Sequence, residues 1–157
     1  MRRTPMKKIV IFIATIFLLS ISVFAAPTVS VNKYLNNKNL MIKKVPTAIK
    51  LSKAEDPAGL GNVYVFNKDG GMSLFLRYNG SKVTVLQNDC EKNLVLYGVK
   101  LSQRKKTADK ALKKRSWKYT RKEKGGGGYW LEYKKGTARI RLLINGGRVN
   151  CYQWQRG

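Results

Sequence analysis

At 157 residues the chain is long enough for one domain with its own core, and it carries 32 Lys and Arg against 8 Asp and Glu, a net charge of +24. It contains no histidine, which excludes Ser-His-Asp and Cys-His nucleophiles, a histidine general base and the His-rich zinc hydrolases. A charge balance this basic points to acidic partners and says nothing about the fold.

Residues 1–25 read as an export signal. Arg2, Arg3, Lys7 and Lys8 precede an apolar run from Ile9 to Ala26, and no further charge appears before Lys33. Val23-Phe24-Ala25 supplies permissive groups for cleavage after Ala25. The alternative is an uncleaved anchor, because the run is close to the minimum of about 17 residues for crossing a bilayer core. In either case the folded part is expected outside the cytoplasm, periplasmic or secreted.

Residues 26–61 are expected to be a loosely structured N-terminal segment, with three of the four prolines and many Asn and Lys. Val29, Val31 and residues 40–45 are strand candidates, residues 48–54 suggest a helical turn, and Asp56-Pro57-Ala58-Gly59 is a turn. Residues 62–157 form the β-rich domain. "VYVFN" and "MSLFLRY" flank Asp69-Gly70, a hairpin signal, and Asn79-Gly80-Ser81 turns the chain into "KVTVLQ". "NLVLYGVKL" reads as a further strand, followed by one short helix in "SQRKKTADKALKKRS". The rest is again strands: "WKYTR", "YWLEYKK", "ARIRLLI" and "RVNCYQW", the last two joined at Asn145-Gly146-Gly147. The expected fold is mainly β, a small antiparallel sandwich or barrel-like domain with one short inserted basic helix. No internal repeat is evident, and nothing longer than a turn or a basic run resembles a known family signature.

Cys90 and Cys151 are the only cysteines. An even count in an exported chain predicts one disulfide. Two thiols without histidine do not make a metal site, so no metal and no cofactor is expected. Glu123 and Glu132 are the carboxylates available for glycoside-type chemistry in the C-terminal strands, and neighbouring cations should depress their pKa values, the wrong direction for a general acid. The protein is therefore expected not to be an enzyme.

The positive charge is concentrated late: residues 101–157 hold 17 Lys and Arg and 3 acids. Strand alternation places Ala138, Ile140, Leu142 and Ile144 on one face and Arg139 and Arg141 on the other. The same rule turns Tyr129, Leu131 and Tyr133 inward and Trp130, Glu132 and Lys134 outward. In the last strand Val149 and Cys151 are the inward pair, which turns Arg148, Tyr152 and Trp154 outward. The predicted anion-binding set is Arg104, Lys105, Lys106, Lys113, Lys114, Arg115, Lys118, Lys134, Arg139, Arg141 and Arg148, with Trp130, Tyr152 and Trp154 as aromatic contacts. Cations neutralise phosphates, sulfates or carboxylates while flat rings stack on bases or sugars. Gly125 to Gly128 match no phosphate-loop spacing and are read as a hairpin tip. These features predict a binding protein for an anionic macromolecule: nucleic acid, envelope glycan or acidic lipid, including peripheral contact with an anionic membrane surface. The alternative is an exported inhibitor or immunity-type protein steered by charge to an acidic protein partner.

Overall fold

The computed structural model describes residues 27–44, 52–55, 62–68 and 72–157. The export signal and the turns at 56–59 and 69–71 lie outside the described residues.

Among the described residues the fold is mainly β and antiparallel, with a short basic helix inserted as the sequence predicts. The described residues form ten strands: β1 (Val29–Ser30), β2 (Ser52–Glu55), β3 (Asn62–Lys68), β4 (Met72–Asn79), β5 (Lys82–Asn88), β6 (Leu94–Val95), β7 (Lys118–Gly125), β8 (Gly128–Lys135), β9 (Ala138–Asn145) and β10 (Arg148–Gln155). Eight of them make one continuous sheet in the order β2-β3-β4-β5-β10-β9-β8-β7, and β1 and β6 form a small parallel pair. The described residues also form a 3-10 turn (Val31–Tyr34), helix α1 (Lys38–Lys44) and helix α2 (Lys105–Lys113).

One face of the large sheet is the core face. Leu74, Leu76, Leu86, Ile140, Leu142, Ile144, Tyr152 and Trp154 all lie at or below 3% exposure. Val31, Leu35 and Met41 from the N-terminal segment, Leu94, Leu96, Val99 and Leu101 from the crossing segment, and Ala108 and Leu112 from α2 close over them as one cluster. Burying these side chains supplies most of the drive to fold, about 1.5–3 kcal/mol for each large aliphatic one.

Three local readings change. Residues 40–44 belong to α1 instead of a strand, and Ser52–Glu55 is a strand paired with β3 where a helical turn was expected. "NLVLYGVKL" is a buried strap, with only Leu94–Val95 in a strand. Leu96 and Val99 close a tight turn whose Tyr97 and Gly98 have φ of 50° and 84°. The hydrophobic alternation is real, since Leu94, Leu96, Val99 and Leu101 are all buried. It serves a segment that crosses the core face without joining the large sheet.

The registers also contain a repeat that the sequence hides. Asn79-Gly80 turns β4 into β5, and Asn145-Gly146 turns β9 into β10. In the first hairpin Arg77 faces Val85 and Tyr78 faces Val83, leaving Thr84 extra. In the second Leu143 faces Cys151 and Ile144 faces Val149, leaving Asn150 extra. Each bulge thus sits at the same place after its turn. The two hairpins meet where β5 pairs with β10, and Gln87 there faces Gln153, 66 residues later, with Gln153 Nε2 donating to Gln87 Oε1 at 2.8 Å. A local two-fold axis passes between these glutamines. Both hairpins share Asn-Gly, a cation, Val and Gln at matching positions, but large core residues differ (Leu86 against Tyr152, Asn88 against Trp154).

Candidate anion-binding site

The Asn150 bulge decides which predicted residues are available. It advances the strand by one, so Val149 joins Ile144 on the core face while Cys151 faces outward with Leu143. Tyr152 and Trp154 then turn into the core, at 0% and 3% exposure. They are structural and cannot be contact residues, contrary to the alternation read from the sequence. The Tyr152 hydroxyl accepts from Asn88 Nδ2 (2.9 Å) and donates to the Leu94 carbonyl (3.2 Å), tying strap to sheet. Burial, ahead of every other influence, pushes its phenol well above the usual range.

The predicted cations divide into separate groups. Arg139 and Arg141 do point away from the core, but they are held by acids. Arg141 meets Glu123 at 2.7 Å and stacks over the Trp130 ring at 4.8 Å, and Arg139 lies 3.6 Å from Glu132. Lys134 is 3.8 Å from Glu132, and Lys118 pairs across the strand with Lys134. Glu132 is almost wholly buried; burial alone would raise its pKa, but the Thr120 hydroxyl and the Arg139 and Arg121 charges together bring it below the ordinary value. Arg104 sits at the start of α2, its backbone in an isolated β-bridge with that of Arg148, whose guanidinium donates to the Ser102 carbonyl at 2.7 Å. Arg115 caps the other end of α2 on the Ala111 carbonyl. Lys106 and Lys114 are exposed on the helix.

Lys105 and Lys113 belong to a different arrangement. Between α2 and the β7–β8 hairpin runs a groove of about 310 Å³ lined by Lys105, Asp109, Lys113, Lys122, Leu131 and the rings of Tyr119, Tyr129 and Tyr133. Its tyrosines come from the core-facing side of β7 and β8, where the helix covers them only in part: Tyr133 is buried while Tyr119 is 49% exposed. The Tyr119 and Tyr133 rings meet edge-on at 5.8 Å, and Lys122 Nζ lies 4.1 Å from the Tyr129 ring centre. Tyr133 donates to Asp109 (3.1 Å), which pairs with Lys113 (2.8 Å). Burial first, then Asp109, pushes the Tyr133 phenol far up, so it is a fixed neutral donor. Tyr119, Tyr129 and Tyr133 were missed by sequence reasoning because alternation assigns inward residues to a closed core, and Lys122 was missed because the irregularity between Tyr119 and Arg121 sets it opposite Leu131 on that face. The edge position of β7, past the end of the cover, leaves this part of the core face open.

The four glycines are a turn, as the sequence suggests. Gly125 pairs with Gly128, and Gly126 and Gly127 take φ of 64° and 73°, the mirror-image conformation that two-residue hairpins favour. Cys90 and Cys151 line one cavity of about 560 Å³ on the outer face, and no disulfide joins them in this structure. Burial, with Asp89 adding, pushes the Cys151 thiol up to about 12. Among the described residues no cluster of His, Cys, Asp and Glu has the makings of a metal site, and no helix is long and apolar enough to cross a membrane.

No protein-family model matches the sequence, and no curated protein matches it either. Among solved structures the fold is similar to that of an extracellular protein containing an SCP domain from Bacillus anthracis str. Ames, at a TM-score of 0.50 and 10% identity. The likeness covers 82% of this chain and 46% of that one, so the chain spans less than half of that protein, and what the two have in common is the fold.

Proposed function

We propose that the chain is an exported, non-enzymatic binding protein that holds an anionic macromolecule in the groove between α2 and the β7–β8 hairpin. The observation that carries this reading is the tyrosine wall of Tyr119, Tyr129 and Tyr133 edged by Lys105, Lys113 and Lys122. Rings present flat faces to sugars or bases, and ammonium groups neutralise the backbone charge. An anionic envelope glycan is the favoured ligand, because the leader at residues 1–25 directs the chain out of the cytoplasm to the periplasm or beyond. The fold neighbour being an extracellular protein agrees with export. The non-enzymatic reading is supported by the direction of every strong perturbation: the Cys151 thiol and Tyr133 phenol are held protonated and Glu132 ionised. None is poised for acid, base or nucleophile work near neutral pH.

The same reading includes a Cys90–Cys151 disulfide, formed when an oxidant of the export compartment takes two electrons and two protons from the thiols. The register that sets Tyr152 opposite Asn88 brings Cys151 beside residue 89, next to Cys90, and both cysteines line one cavity. Closing a loop of this length stabilises by about 4 kcal/mol on the chain-entropy argument.

The test is binding of the exported chain to heparin, duplex DNA and anionic vesicles. Tyr119→Ala, at a half-exposed ring, should weaken glycan binding by about 1–3 kcal/mol while the chain stays folded, the lost ring contact with Tyr133 costing about 0.5–1.5 kcal/mol of stability. Unaltered binding by the folded variant would overturn the groove. Tightest binding to DNA, or a single stoichiometric complex with an acidic protein in place of glycan binding, would overturn the glycan assignment.

A further inference from the structure

The tyrosine groove contains a conflict of charge. Lys105, Lys113 and Lys122 edge it, yet a carboxylate, Asp109, stands on its wall. Lys105, Asp109 and Lys113 recur every four residues along α2, so they follow one another on one face of the helix, with the acid in the middle. Such a line suits a bare polyanion poorly, because the carboxylate repels each charge that the lysines attract. The acid is also held in place. Tyr133 Oη donates to Asp109 Oδ1 at 3.1 Å, and Lys113 Nζ lies 2.8 Å from Oδ2. These contacts do not saturate it, since a carboxylate has about four lone-pair sites, two on each oxygen. One contact on each oxygen leaves one acceptor site on each, on a side chain that is 28% exposed and lines the groove.

We propose that Asp109 makes the groove selective for sugars that carry free neighbouring hydroxyls beside their anionic group, as a uronic acid does; this rests on the glycan reading above. Two adjacent hydroxyls donate to Oδ1 and Oδ2, the sugar ring packs on Tyr119, and the ligand carboxylate meets Lys105 or Lys122. Hydrogen bonds to a charged acceptor are stronger than those between neutral groups. Repulsion contributes to the selectivity as well. A polyanion without hydroxyls, such as a polyphosphate or a capped glycan, brings its charge against Asp109 with no compensating bond. The lysines thus supply affinity, and Asp109 decides which anion is accepted.

The experiment measures, by calorimetry at one fixed salt concentration, binding of the exported chain to a tetrauronate and to its methyl ether. The ether keeps the rings and every carboxylate but has no hydroxyl donor. Wild type should favour the free form at least about tenfold. Asp109→Asn keeps the shape and an acceptor for Tyr133, loses only an exposed ion pair, and should stay folded. It should cut the preference to about threefold or less. A preference that survives in Asp109→Asn comes from the bulk of the methyl groups and would overturn the proposal. Equal binding of both forms by wild type, or no binding at millimolar ligand, would overturn it without any variant. Tyr119→Ala separates this claim from the one beneath it. If that change weakens both ligands while Asp109→Asn leaves their ratio unaltered, the groove stands and the role of Asp109 falls. If Tyr119→Ala leaves both affinities unaltered, the groove reading falls and this proposal with it.

Discussion

Replacing Glu132 by Gln should destabilise the protein by about 1–2 kcal/mol, and the amount follows from the site. Glu132 is 4% exposed, and its oxygens receive Thr120 Oγ at 3.1 Å and Arg121 at 3.2 Å, with Arg139 and Lys134 at 3.6 and 3.8 Å. Removing one partner of a fully buried ion pair costs about 3–5 kcal/mol, mostly for the charge left behind. Here the three cations are 42–52% exposed, so water takes over much of their solvation and each pair is worth only about 0.2–1 kcal/mol. Gln keeps the shape and an acceptor for Thr120. Thermal unfolding should therefore shift down by roughly 2–8 °C. The pH dependence has a definite sign. A carboxylate whose folded pKa is lowered contributes its full stability above the unfolded value of about 4.3, and loses it as pH falls through the folded one. The gap between wild type and Glu132→Gln should be constant near neutrality and close in acid. Calorimetry or urea unfolding across that range measures it. A variant as stable as wild type at pH 7, or a gap that persists unchanged in strong acid, would refute the account of Glu132.

Three further outcomes follow from local geometry. Gly128→Ala would drive a Cβ into the Ile144 carbonyl oxygen on β9 and should cost at least about 2 kcal/mol, read by urea midpoint. Tyr152→Phe removes the acceptor of one Asn88 Nδ2 hydrogen, whose other bond runs to the Glu91 carbonyl, and the hydroxyl donor of the Leu94 carbonyl, and should lower stability by about 1–2 kcal/mol without altering polyanion affinity. Non-reducing peptide mapping of protein taken from its native compartment should find Cys90 linked to Cys151; two free thiols there would defeat the disulfide and weaken the case for export.

The mainly β class, the inserted helix, the hairpin turns and the face occupied by Arg139, Arg141 and Trp130 were legible from alternation and Asn-Gly turns. The faces of the last strand were hidden by a one-residue irregularity that period-two reading cannot register. Asn150 is an ordinary strand residue by composition, yet as the bulged position it exchanges the faces of Cys151, Tyr152 and Trp154. The matching Thr84 bulge shows that the same device shapes both halves of the sheet. The internal repeat escaped notice because what it preserves is a register and a turn, and its buried positions differ in size. The tyrosine groove was illegible for another reason: whether an inward residue is core or cleft depends on where the covering layer stops. Charge counting located the basic half correctly, but it could not show that Arg139 and Arg141 are neutralised across strands by Glu132 and Glu123.

The central claim is that the groove cations contact a polyanion directly, and the salt dependence of heparin binding tests it most closely. Lys105 and Lys122 line the groove, and neither pairs with a carboxylate among the described residues. Each direct contact contributes roughly one unit to the slope of log K against log salt. The Lys105→Gln/Lys122→Gln protein should therefore bind with a slope shallower by about two units than wild type, and should stay folded, losing at most about 1 kcal/mol with the Lys122–Tyr129 contact. A folded double variant with the wild-type slope would contradict the claim, and would reduce the basic half of this protein to solubility and long-range steering.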